Sequence, residues 1–93
     1  MLDNIKEGDF VLIRHKRSLN ECKWVYVTSI VKGEEYVFEL SGTLLKHNLI
    51  GKIYTKFETY SFHSYYCIYQ KITDSKEIEE LSLVYKIHLL KHS

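Results

Sequence analysis

The chain has 93 residues, of which 45% are hydrophobic and 27% charged, and its formal net charge is +1. This is the make-up of one folded domain with a single modest core, and it excludes a disordered chain or a strong overall field toward nucleic acid or lipid. No apolar run approaches the ~18 residues of a membrane-spanning helix. Two cysteines, Cys22 and Cys67, fall short of a disulfide framework. The opening MLDNIKEGDF is polar and acidic, unlike a secretory signal. An intracellular protein with reduced thiols, nuclear or cytoplasmic, is therefore expected.

In chain order, KEGD (Lys6 to Asp9) is turn chemistry, with Gly8 free to take positive φ. DFVLIRH (Asp9 to His15) predicts the first strand. Phe10, Leu12 and Arg14 alternate with Val11, Ile13 and His15, so both faces are apolar, as in a barrel or covered strand. KRSLNE predicts a loop. KWVYVTSIV (Lys23 to Val31) predicts a long strand, KGEE a tight turn, and YVFEL (Tyr36 to Leu40) the return strand of a hairpin. Gly42 is expected to break that strand, and LLKHNLIG to form a short helical turn or bent connection. Its leucines would plug one end of a small barrel, and Gly51 would turn the chain outward. KIYTKFETYSF and SYYCIYQKI (Ser64 to Ile72) predict further strands, with a turn at Phe62 to Ser64.

Asp74 is placed to cap a short helix through SKEIEEL, with Glu77 at the position of a capping box. SLVYKIHLLK alternates as a last strand would. Ile78, Leu81, Tyr85 and His88 also fit helical spacing, which leaves a continuing helix as the alternative. The expected fold is mainly β: a small antiparallel β-barrel or two packed sheets with one short helix, making a single domain over residues 1–93.

Phosphate-cradling glycine loops and nucleophile elbows are absent, and the glycines at 8, 33, 42 and 51 are too dispersed to build one. No catalytic residue and no cofactor is expected, so the chain by itself is not read as an enzyme. His63 with Cys67 and His88 with His92 have spacings from which a zinc site can be imagined. Surface histidines and a buried thiol account for them more simply, and no metal is expected. Cys67 lies among Tyr65, Tyr66, Ile68 and Tyr69; apolar neighbours raise a thiol pKa and make it inert.

The near-neutral total hides local clusters. RHKR (Arg14 to Arg17) concentrates positive charge at the end of the first strand, and Lys46, His47, Lys52 and Lys56 precede the next acid, Glu58. Basic groups beside exposed aromatics suit RNA, since cations neutralise phosphates and rings stack on unpaired bases.

Three blocks in order carry a resemblance: IKEGDFVLIRH, a hairpin, and SGTLLKHNLIGKIYTKFE. They resemble the N-terminal β domain of the tRNA adenine N1-methyltransferases that modify the T-loop. The matching residues are Glu7, Gly8, Asp9, Val11 and Leu12, then Gly42, Leu49, Ile50, Gly51, Lys52 and Tyr54. The likeness covers roughly the first 60 residues and more loosely the rest. Ile53 stands at the family's usual proline and Thr55 at its second glycine. The resemblance implies the N-terminal domain of a longer protein, or a free-standing relative, and looks more like the non-catalytic subunit, a branch that also carries translation-initiation annotation. It implies tRNA and a catalytic methyltransferase subunit as partners and no membrane. Phosphate contacts would come from Arg14, Lys16, Arg17, Lys46, Lys52 and Lys56. The alternative is a protein-interaction module of SH3 or Tudor type, with Trp24, Tyr26, Tyr36 or Tyr60 lining a peptide groove.

Overall fold

The computed structural model describes residues 5–33, 37–49, 52–54 and 58–92. The strands are β1 (Phe10–His15), β2 (Ser18–Lys32), β3 (Phe38–Leu49), β4 (Lys52–Tyr54), β5 (Thr59–His63) and β6 (Cys67–Lys71); one helix, α1 (Ser75–His92), closes the chain. The fold is mainly β, as expected, and every strand pair is antiparallel. The sheet runs β4-β3-β2-β1-β6, and β5 also pairs with β3.

The sheet curls on itself. β5 pairs with β3, and β6 lies beyond β1 at the end of the ladder path, yet Phe62 of β5 and Cys67 of β6 share one buried cluster with Val11, Val25, Val27 and Leu40. A flat sheet cannot bring those residues together; a twisted, coiled one can. Tyr69 fastens the closure. Its ring packs against Phe38 at 5.1 Å, and its hydroxyl donates to the Phe62 carbonyl at 2.6 Å.

Burial pushes the Tyr69 phenol well above its ordinary value of 10, with the charges of Cys67 and Glu39 acting the same way. The folded state therefore holds this proton more tightly than the unfolded chain. The resulting stability is fully present below pH ~10 and falls as pH rises beyond it. Tyr69→Phe is expected to cost about 1 kcal/mol at neutral pH, the worth of one hydrogen bond, and to remove this part of the alkaline loss. Urea midpoints between neutral and strongly alkaline pH check it; an unchanged alkaline slope in the variant would contradict it.

The outer face of the same strands carries a second cluster. Phe10, Leu45, Ile72 and Leu81 are buried there, and Leu12, Trp24, Tyr26, Ile78, Val84 and Tyr85 pack against them. α1 supplies the cover. Asp74 caps it by accepting the Glu77 N–H at 3.2 Å. The Glu77 carboxylate accepts from the Trp24 indole nitrogen at 3.3 Å and so ties the first helical turn to β2.

Several expectations change. The KRSLNE loop shrinks to the turn at Lys16 and Arg17, because His15 pairs directly with Ser18 and β2 begins there. Ser41 to Leu49 is not a bent or helical connection but the second half of β3. Its register slips between Trp24↔Lys46 and Val25↔Leu44, which leaves Leu45 as a bulge residue. Ordinary strand alternation sends consecutive Leu44 and Leu45 into different cores, one on each side of the sheet. The strand KIYTKFETYSF divides into β4 and β5. The turn before β6 falls at Ser64 to Tyr66, two residues later than expected. SLVYKIHLLK is helix, not strand, since Leu81 and Tyr85 must face the outer sheet surface together. The KGEE turn falls partly and the Gly51 bend wholly outside the described residues, although the turn's own Gly33 N–H does donate to the Val37 carbonyl at 2.6 Å. Gly8 has φ +93°, as its turn requires.

Candidate nucleic-acid interface

The β1–β2 hairpin and the β5–β6 turn meet at one place on the surface. The Lys16 N–H donates to the Tyr66 carbonyl at 2.8 Å, which locks the two turns side by side. A turn has no sheet face on which to hide consecutive side chains. Tyr65 and Tyr66 accordingly stand 68% and 52% exposed.

Four rings gather there. Tyr65 and Tyr66 meet edge to face with centroids 5.1 Å apart. His15 stacks on Tyr66 at 6.3 Å with the planes 12° apart. His63 contacts both tyrosines, at 6.4 and 5.9 Å. Both imidazoles are oriented by backbone: His15 Nδ1 accepts the Arg17 N–H at 3.1 Å, and His63 Nδ1 accepts the Tyr65 N–H at 3.0 Å. An accepting Nδ1 leaves the donor of a neutral imidazole on Nε2.

The cations beside this platform are Lys16 and Arg17, both exposed at the hairpin tip. Lys23 lies over the Phe62 ring at 6.0 Å. Lys23 and Lys16 also act on Cys67, lowering its thiol pKa against a larger upward push from burial; the net shift is upward, which suits an inert core thiol. Glu39, opposite His63 in the β3–β5 ladder, is an acidic neighbour. A recess of about 520 Å³ runs along the hairpin from Lys16 to Glu21. All of its lining comes from one continuous stretch, so it is an open groove rather than an enclosed pocket.

The other basic candidates are placed elsewhere. Arg14 is half-buried on β1 opposite Ile68, and strand alternation puts it on the same face as Phe10 and Leu12, under the helix side of the sheet. Lys46 sits opposite Trp24 on β3 with its ammonium 5.7 Å from the indole ring. Lys52 is exposed on β4, opposite Leu49. Lys56 lies outside the described residues. Register therefore joins Lys16 and Arg17 to the aromatic platform and assigns Lys46 and Lys52 to a different hairpin.

The peptide-groove aromatics are also redistributed. Trp24 and Tyr26 pack under α1, and Tyr26 stacks on Tyr85 at 4.1 Å, so the helix occupies the face a peptide would use. Tyr60 is half-buried, and Tyr36 lies outside the described residues. Among the described residues no group of three or more His, Cys, Asp or Glu side chains is arranged to hold a metal ion. No described helix is long and apolar enough to cross a membrane.

Sequence reasoning missed the platform. His63 was notable only for its spacing to Cys67, and Tyr65 and Tyr66 only as neighbours of that thiol. The available signal was HSYY itself, since consecutive aromatics beside a serine turn cannot alternate into a core. No protein-family profile, curated protein or solved structure matches this chain.

Proposed function

We propose that this chain is an RNA-binding domain that stacks unpaired bases on Tyr65 and Tyr66 and neutralises the adjoining phosphates with Lys16 and Arg17. The observation that carries the reading is the coupling of the cationic hairpin to the exposed aromatic turn through the Lys16–Tyr66 backbone hydrogen bond. Stacking faces beside cations are what single-stranded RNA requires, because every unpaired base offers a π-face and every linkage a charge. The biological setting we propose is tRNA modification: the tRNA-holding domain of the non-catalytic subunit in a tRNA adenine N1-methyltransferase complex. That part of the proposal rests on the resemblance of Glu7–Leu12 and Gly42–Tyr54 alone. In it the domain contacts tRNA and the catalytic subunit and performs no chemistry.

The test is fluorescence anisotropy of a labelled tRNA, with an unrelated RNA duplex as control, at low and near-physiological salt. Preference for the tRNA and salt-sensitive affinity are expected. Tyr65→Ala/Tyr66→Ala should weaken binding roughly 5- to 150-fold per stacked base lost. Lys16→Ala/Arg17→Ala should flatten the salt dependence by about 0.7 in log–log slope per charge removed. Adding Arg14→Ala should change little more, because Arg14 lies on the other face. Binding that is identical in the tyrosine and basic variants would remove the proposed interface.

A further inference from the structure

α1 has two apolar faces. Leu81 and Tyr85 look into the sheet. On the opposite side Leu83 is 55% and Ile87 49% exposed, with exposed Leu90 continuing the same stripe. At 3.6 residues per turn these positions, i, i+4 and i+7, fall within about 60° of one another around the helix. Lone exposed leucines are ordinary, but a stripe at coiled-coil spacing is the pattern of a helix that packs on another.

The charges flanking the stripe identify what it packs on. Exposed Glu79 and Glu80 precede it, and exposed Lys86 and Lys91 lie beside its second half. Among the described residues none of these four makes an ion pair within the chain. Helix geometry puts Glu79 and Lys86 along one border of the stripe, and Glu80 and Lys91 along the other. A parallel pair of such helices would set acid against acid. An antiparallel pair with a two-fold axis near residue 84 sets Glu79 toward Lys86 of the other copy and Glu80 toward Lys91, with Leu83 and Ile87 crossing at the centre. It also opposes the helix dipoles. The stripe is thus self-complementary in the way an isologous two-fold interface requires.

We infer that α1 is a homodimerisation helix, and that two copies of this chain associate antiparallel through Leu83 and Ile87 with Glu79–Lys86 and Glu80–Lys91 pairs at the borders. One helix stripe is small beside the ~1,200–2,000 Å² buried by standard stable interfaces, so the dimer is weak and concentration-dependent.

Sedimentation equilibrium of the chain between about 10 μM and 1 mM tests this. The apparent mass is expected to rise toward twice that of the monomer. Leu83→Glu/Ile87→Glu should hold the chain monomeric with an unchanged circular dichroism spectrum, since both positions are exposed. Glu79→Lys/Glu80→Lys should weaken association at least about tenfold. Adding Lys86→Glu/Lys91→Glu to that variant should restore it, because the antiparallel pairs are then reversed rather than lost. A chain that stays monomeric throughout overturns the inference. So does a dimer indifferent to the Leu83 and Ile87 changes, which would use another face. Failure of the fourfold swap to recover association overturns the antiparallel arrangement.

Discussion

Leu81→Ala is expected to destabilise the domain by about 2–5 kcal/mol, the usual range for a fully buried leucine whose site cannot collapse. Leu81 is 0% exposed and shares its cluster with Phe10, Leu45 and Ile72, which come from β1, β3 and the segment after β6. Among the described residues it is the one α1 residue buried completely, so its side chain is the main apolar anchor of the helix. The inner core is a separate cluster and loses no contact of its own. Helix undocking should therefore precede loss of the sheet, as local unfolding does where one layer has few anchors. The single tryptophan reports it directly: Trp24 is bonded to Glu77 and packed under α1, and undocking exposes its indole to water. In a urea titration the fluorescence red shift should come at lower denaturant than the loss of β circular dichroism. A midpoint within experimental error of the parent would mean that the sheet does not hold the helix through this contact.

Gly42→Val is expected to cost at or above the ~3 kcal/mol that marks the upper end of small-to-large changes in packed interiors. A Cβ built at Gly42 falls onto the Tyr26 carbonyl oxygen and a Val25 methyl group. The first of these is backbone and cannot swing aside. Gly42 faces Val27 in the β2–β3 ladder, next to the register slip at Thr28, where the Thr28 hydroxyl donates to the Ser41 carbonyl at 3.2 Å. The strands approach closely here because the sheet is coiling around its inner core. At ~4–8 °C per kcal/mol for a domain of this size, thermal unfolding should fall by well over 10 °C. Gly42→Ala should show a smaller loss of the same sign. A valine variant that melts with the parent would require β2 and β3 to separate at this point without penalty.

Gly42 also shows how sequence and structure divide. Its lack of a side chain was visible, and the expectation drawn from it was a strand break. The strand continues, and the glycine serves the approach of its neighbour. The same confusion affected LLKH. A strand with one covered face advertises itself by alternation, but β3 is covered on both faces and carries a bulge, so its apolar residues run consecutively and imitate a bend or helical turn. In the tail, alternation and helical spacing were both present. The choice fell to helix because the outer face of β1–β3 presents Phe10, Trp24, Tyr26 and Leu45, which need a cover.

The basic residues were equally visible as a list, and the list could not say which of them share a surface. Arg14 and Lys16 are two apart in sequence, yet one lies on the sheet's helix side and the other at a hairpin tip. Tyr66 is distant from His15 in sequence and stacks on it in space.

By itself, then, the sequence determined what local chemistry can determine. The β-branched and aromatic runs made strands, Gly8 took its positive φ, Asp74 capped a helix at Ser75, and Cys67 went into the core. These depend on neighbours within a few residues. The curling of the sheet, the length of α1, the covering of Trp24 and the meeting of Lys16 with Tyr66 were decided by the tertiary structure. Each depends on which face of a distant element remains uncovered, and burial of that face contributes more than any local preference of the segment that covers it.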